Sequence, residues 1–129
     1  MTTNHLLAFD APDLLNQLVT LAPAELDIQP FGIIGIDAAT VARFYSAHES
    51  RMAGLAPEQV LGRPFFSVVA QCMNNFMVAQ RFEDAAAQGA SLDVTIDYVL
   101  TLRMRPTPVK LRLLAAPDQP LRYVLVHRL

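Results

Sequence analysis

The chain has 129 residues, enough for one domain and too few for two. Hydrophobic residues make up 53% of it and charged residues 17%, a balance that builds a core and excludes a disordered chain. A net charge of −2 gives no broad attraction to nucleic acid or anionic lipid, and no run reaches the ~18 apolar residues of a spanning helix.

Residues 1–5 lack the basic region and apolar run of a signal peptide, so a cytoplasmic protein is expected. Over residues 10–21, Leu14, Leu15, Leu18 and Leu21 recur at helical spacing, with Asp10 or Asp13 as N-cap and Pro12 in the first turn. This predicts a short amphipathic cap packed on the body of the domain. Residues 31–37 read as a buried strand. A tight connection at Asp37-Ala38-Ala39 pairs it with a second strand over 40–45.

Residues 46–64 carry short-helix cues, including Pro57 near a start and Gly62 at a stop. The apolar stretch 65–70 leads to Cys72. Asn74 or Asn75 then caps a longer helix running to about Gln88, with Gly89 as its stop. Phe76, Ala79, Phe82 and Ala86 are predicted to share its buried face.

Three strand-like stretches follow at 92–103, 109–115 and 121–128, separated by proline-containing connections. Val109, Leu111 and Leu113 alternate with Lys110 and Arg112. Tyr123, Leu125 and His127 alternate with Val124, Val126 and Arg128. Arg103, Arg105, Lys110, Arg112, Arg122 and Arg128 therefore read as the wet face of a sheet, not as a basic arm. Five antiparallel strands with helices inserted on one side predict an α+β domain. No repeat, low-complexity segment or internal linker interrupts it.

Cys72 is the only cysteine. A lone thiol forms no internal disulfide and does not by itself complete a metal site, so any chemistry it has is with something small. Tyr45 and Glu49 are candidates to tune what it holds. Individually, each has a plainer reading. Cys72 alone is a small buried hydrophobe, Tyr45 a core aromatic at a strand end, and Glu49 a solvated carboxylate. Phe65, Phe66, Leu100, Met104 and Tyr123 are pocket wall or core. His5, His48 and His127 are scattered and make no metal set, although haem ligation through His48 or Met52 is a third option. With no glycine-rich phosphate loop, serine nucleophile motif or paired catalytic carboxylates, the chain does not read as an enzyme.

The order of elements is that of PAS domains, and particular residues narrow it further. The segments Phe31-Gly32, Tyr45-Ser46-Ala47-His48-Glu49, Pro57-Glu58-Gln59-Val60-Leu61-Gly62-Arg63-Pro64-Phe65-Phe66 and Val69-Ala70-Gln71-Cys72 resemble the photoactive yellow protein family. So do Asp97-Tyr98, Met104-Arg105-Pro106-Thr107-Pro108-Val109-Lys110 and Tyr123-Val124-Leu125-Val126. The resemblance implies a PAS fold: a five-stranded antiparallel sheet with helices on one side, a core at 29–129 and an N-terminal helical cap at 1–28.

It further implies p-coumaric acid (4-hydroxycinnamic acid) held as a thioester on Cys72, with Tyr45 and Glu49 hydrogen-bonding its phenolic oxygen. Ala53, Leu55, Phe65, Val69, Leu100 and Met104 would line the surrounding pocket. Light would isomerise the double bond, Glu49 would supply a proton, and partial unfolding would give the signalling state. A free phenol has a pKa of about 10, so a buried phenolate needs such donors.

The chain departs from the family at Ala53, where the family has threonine, at Leu55, where it has arginine, and at Gln71, where it usually has proline. Ala53 leaves the Tyr45 hydroxyl one partner fewer, worth roughly 0.5–1.5 kcal/mol. The expectation is a cytoplasmic blue-light receptor, monomeric or weakly dimeric, with no nucleic-acid or membrane partner. Because the chain ends with its last strand, the signal would pass to a separate signalling protein. The alternative is a light-insensitive PAS module that binds a small molecule non-covalently or mediates dimerisation.

Overall fold

The turn after the first strand is organised by one carboxylate. Asp37 Oδ1 accepts from the Ala39 and Val41 amides at 2.9 and 3.0 Å, and Oδ2 accepts from Arg43 Nε at 2.8 Å. Thr40 closes the turn in the left-handed region, at φ 62°. The structure, a computed structural model, describes residues 6–101 and 105–129. The expectations at His5, Arg103 and Met104 lie outside the described residues. On either side of the turn run β1 (Gly32–Ile36) and β2 (Ala42–Tyr45), antiparallel, with Ile34 opposite Tyr45. β2 starts two residues later than predicted because left-handed Thr40 breaks extended geometry.

The other edge of β1 pairs with β5 (Arg122–Arg128), placing Gly32 opposite Val126 and Ile34 opposite Val124. β4 (Thr107–Ala115) lies between β5 and β3 (Leu92–Leu100). The sheet order is β2-β1-β5-β4-β3, antiparallel throughout, as the five-strand α+β reading predicted.

Every residue of β1 is buried because both faces of the sheet are covered. Ile34, Ile36, Leu111, Leu113, Val124 and Val126 join a cluster with Phe65, Phe66, Val78 and Phe82. On the opposite face Ile33, Tyr123 and Leu125 pack with Leu14, Leu18, Leu26 and Phe31. This second cluster is the seat of α1 (Leu14–Leu18) and α2 (Pro23–Asp27). α1 is shorter than the predicted 10–21 helix, since its N-cap Asp13 is left-handed and makes no side-chain cap bond. α2 was not anticipated. Pro23 opens it, and Glu25 Oε1 accepts from the Ala22 amide at 3.0 Å.

The cap corrects the reading of the basic residues. Arg112 is 6% exposed, and its guanidinium meets both oxygens of Asp93 at 2.8–2.9 Å. The same guanidinium donates to the carbonyls of Phe9 and Ala11 at 2.9 and 2.7 Å. Alternation put Arg112 on the face away from Leu111 and Leu113 correctly, but the N-terminal segment covers that face. Lys110 does remain exposed, beside Asp97 at 3.1 Å.

Between β2 and β3 lie α3 (Ala47–Ala53), a 3-10 turn at Pro57–Gln59, a π-helical turn at Phe65–Val69 and a 3-10 turn at Gln71–Met73. α4 (Ala79–Gln88) follows, stopped by Gly89 at φ 60° as predicted. Asn75 Oδ1 accepts from the Met77 and Val78 amides at 3.0 and 3.2 Å, but the helix itself starts only at Ala79. Phe76 therefore precedes it and is 79% exposed, and Ala86 is exposed too. The buried face is Ala79, Phe82 and Ala85, a phase set by the true start.

Candidate functional site

The end of β2 and the first turn of α3 bring a phenol and a carboxyl to the same edge of the larger cluster. Ser46 caps α3. Its Oγ accepts from the Glu49 amide at 3.2 Å and from the Ile33 amide at 3.0 Å, which locks the helix onto β1. Glu49 is thus turned inward, with its side chain 3% exposed. Both of its oxygens accept from Arg128, Oε1 from Nη1 at 2.7 Å and Oε2 from Nη2 at 2.9 Å. Neither donates. The carboxyl lies over Gly32, where a Cβ would overlap Oε1 and come within 3.0 Å of Cδ. Only a residue without a side chain leaves room for that acid.

Arg128 reaches the site by strand parity. It points to the same side of β5 as Val124 and Val126, both members of the larger cluster, while His127 points to the cap and stacks beside Phe9 at 5.2 Å. The wet-face reading of Arg128 is therefore corrected: its side chain is 13% exposed and ion-paired. Its hydrogen bonds to Glu49 hold the guanidinium above its ordinary range, against a smaller opposing effect of burial.

Tyr45 is 5% exposed. Burial, and then the negative charge of Glu49, push its phenol above the ordinary range, while Arg128 acts in the other direction. Its hydroxyl makes no hydrogen bond to any described residue. His48 is half-buried, and burial followed by the Arg51 charge pulls its imidazole below the ordinary value.

Cys72 forms the other pole. It is a free, partly buried thiol in the 3-10 turn after the π-helical turn. Its backbone carbonyl accepts from the Tyr98 hydroxyl and from Asn75 Nδ2, the latter at 3.1 Å. Asn75 Nδ2 also donates to the Tyr98 oxygen at 2.6 Å. Tyr98 and Asn75 therefore fix the backbone around the thiol, a role not read from the sequence for either. An amide that both closes a turn and reaches back three residues gives only a weak local signal.

Tyr45, Phe65 and Leu100 belong to one buried cluster, and Leu55, Val69, Cys72 and Tyr98 pack against it. Ala53 is buried and lines a cleft together with Leu100 and Arg128. Met104 lies outside the described residues. Among the described residues no group of three His, Cys, Asp or Glu side chains comes together to hold a metal ion, and no helix is long and apolar enough to cross a membrane.

No family model matches the chain. Individual proteins do. It is 30% identical over 125 residues to photoactive yellow protein from Halochromatium salexigens, covering 97% of this chain and 99% of that one. Among solved structures, the photoactive yellow protein domain of the sensor histidine kinase Ppr from Rhodospirillum centenum superposes with a TM-score of 0.78 at 34% identity. That match covers 87% of this chain and 97% of the domain. The PAS domain of an HTR-like protein from Haloarcula marismortui shares the fold at a TM-score of 0.60 and 14% identity, over 88% of this chain and 99% of that domain.

Proposed function

This chain belongs to the photoactive yellow protein family and has its PAS fold, and on that premise we propose that it is a blue-light receptor carrying p-coumaric acid as a thioester on Cys72. One observation carries the reading: Tyr45, 5% exposed beside Glu49, sits in the cluster against which Cys72 packs, and its hydroxyl makes no hydrogen bond to a described residue. A phenolic O–H with no protein acceptor suits a ligand oxygen.

The donor set fits such a group. When bound, it supplies a conjugated double bond that light can isomerise and a phenolic oxygen that can be anionic. For attachment, Cys72 loses its thiol proton and Sγ takes the acyl carbon from an activated hydroxycinnamoyl donor, whose leaving group departs with the bonding pair. Tyr98 and Asn75 keep the Cys72 carbonyl fixed during and after that exchange. Tyr45 directs its proton at the phenolic oxygen. Glu49 would serve as proton donor once one of its oxygens leaves Arg128 and carries a proton. Arg128, positive beside both, favours negative charge in the pocket. Ala53 and Leu55 leave Tyr45 with less support and the pocket without the family's cationic lid, so colour and recovery rate are where this chain should differ.

The test supplies activated p-coumarate to the purified polypeptide and measures intact mass and visible absorption. A stoichiometric adduct with a bleachable band, absent in Cys72→Ala, is expected. An adduct that persists without the thiol, or bare mass and spectrum after exposure, would favour the light-insensitive PAS module. That second reading draws on Glu49, both of whose oxygens Arg128 already engages.

A further inference from the structure

Arg128 has a second neighbourhood. Besides meeting Glu49, it lines a cleft of about 360 Å³ between the end of α3 and the start of β4. Arg51 and Arg105 line the same cleft, Leu100 and Met52 give it an apolar flank, and none of its described lining residues is acidic. Neither Arg51 nor Arg105 is ion-paired with a described carboxylate. On a chain of net charge −2 this concentration of positive charge is local. Three guanidinium groups around one concavity repel each other, and an anion entering it relieves that repulsion.

The donors suit one chemistry. A guanidinium carries five N–H groups in a planar fork that matches carboxylate and phosphate oxygens. Glu49 engages one N–H on each Nη of Arg128 and leaves the rest of the fork available. The positive field also reaches the neighbours, since Arg51 and Arg128 both disfavour the charged form of His48. A cleft of this size holds a small organic molecule with room beyond its head group.

We propose that this cleft binds a small oxyanion-bearing molecule, a carboxylate or phosphate monoester with a short apolar body, whose head group competes with Glu49 for Arg128. Binding and the Glu49–Arg128 pair are then linked. An oxyanion loosens the pair, and loosening the pair strengthens oxyanion binding by the same factor. The cleft becomes a chemical input to the acid that the proposed light response uses, although its own binding requires nothing on Cys72.

The experiment titrates the unmodified 129-residue chain with benzoate and with phenyl phosphate at constant ionic strength, using sodium chloride as control. The guanidinium N–H signals of Arg51, Arg105 and Arg128 are followed by NMR. Saturable shifts of all three are expected with at least one probe, and the probe that saturates identifies the head group. Arg51→Gln and Arg105→Gln, both at exposed positions, should each weaken binding roughly tenfold. Glu49→Gln should tighten it by releasing Arg128. Shifts that rise linearly, that chloride reproduces, or that survive both arginine substitutions undiminished would overturn the site. Unchanged or weaker affinity in Glu49→Gln would overturn the competition. Because the titration is read without acylation, failure here is distinguishable from failure of the photoreceptor reading.

Discussion

Gly32 and Glu49 show how tightly single residues define this site. A methyl group on Gly32 has nowhere to go except into the carboxyl of Glu49. Gly32→Ala is therefore expected to push Glu49 off Arg128 and destabilise the fold by about 1–3 kcal/mol, the range of overpacking in a filled core. Urea unfolding together with the Arg128 guanidinium NMR signal checks this. Full stability with an intact pair would mean the acid does not lie over Gly32. His48 gives a prediction in pH. Burial and Arg51 lower its folded value, so the unfolded chain takes up the proton first as pH falls through about 6.5. The His48 contribution to stability is thus complete above that value and declines below it. Comparing the wild type with His48→Gln between about pH 5 and 8 isolates the effect. A stability difference that stays constant across that window would refute it.

At the level of elements, the N-terminal cap is held to the sheet by Arg112 as well as by its leucines. One guanidinium bridges Asp93 of β3 and two carbonyls of the segment before α1. Arg112→Ala removes those bonds and leaves the carbonyls and Asp93 to find water, a loss of roughly 2–4 kcal/mol. Limited proteolysis should then cut within α1 and α2 well before the sheet. Arg112→Lys should rescue poorly, because an ammonium cannot span both partners with a planar fork. Cleavage no faster than in the wild type would show that the apolar contacts hold the cap alone. The element boundaries follow the same logic. Gly89 was legible as a stop because a left-handed terminus is a local property. The start of α4 was not, since Val78 leaves helical geometry at φ −121° and Phe76 precedes the helix, 79% exposed.

For the whole molecule, the central strands serve two cores at once. Val124 and Val126 of β5 pack toward Phe65 and Phe82, while Tyr123 and Leu125 pack toward Leu14 and Leu18. β1 and β5 are covered on both faces, whereas α1 and α2 have five residues each and one contact face. Native-state hydrogen exchange should rank them accordingly. Amides of β1 and β5 should exchange only through global unfolding, and those of α1 and α2 through a lower-energy opening. Equal protection across cap and sheet would contradict this division.

The sequence by itself determined the strand count, the five-strand α+β class, the Gly89 stop and the alternation that assigns each strand residue to a face. These depend on backbone conformation and a two-residue period, both of which are local. It also held the run from Tyr45 to Cys72 that marks the family. What lay over each face only the tertiary structure decided. Alternation put Arg112 and Arg128 on particular sides but could not show that the cap buries the first, or that α3 turns Glu49 onto the second. The environment of a long charged side chain is set by whatever segment packs above it, and that segment lies 79 residues away for Glu49 and Arg128 and more than 100 for Arg112 and its cap carbonyls.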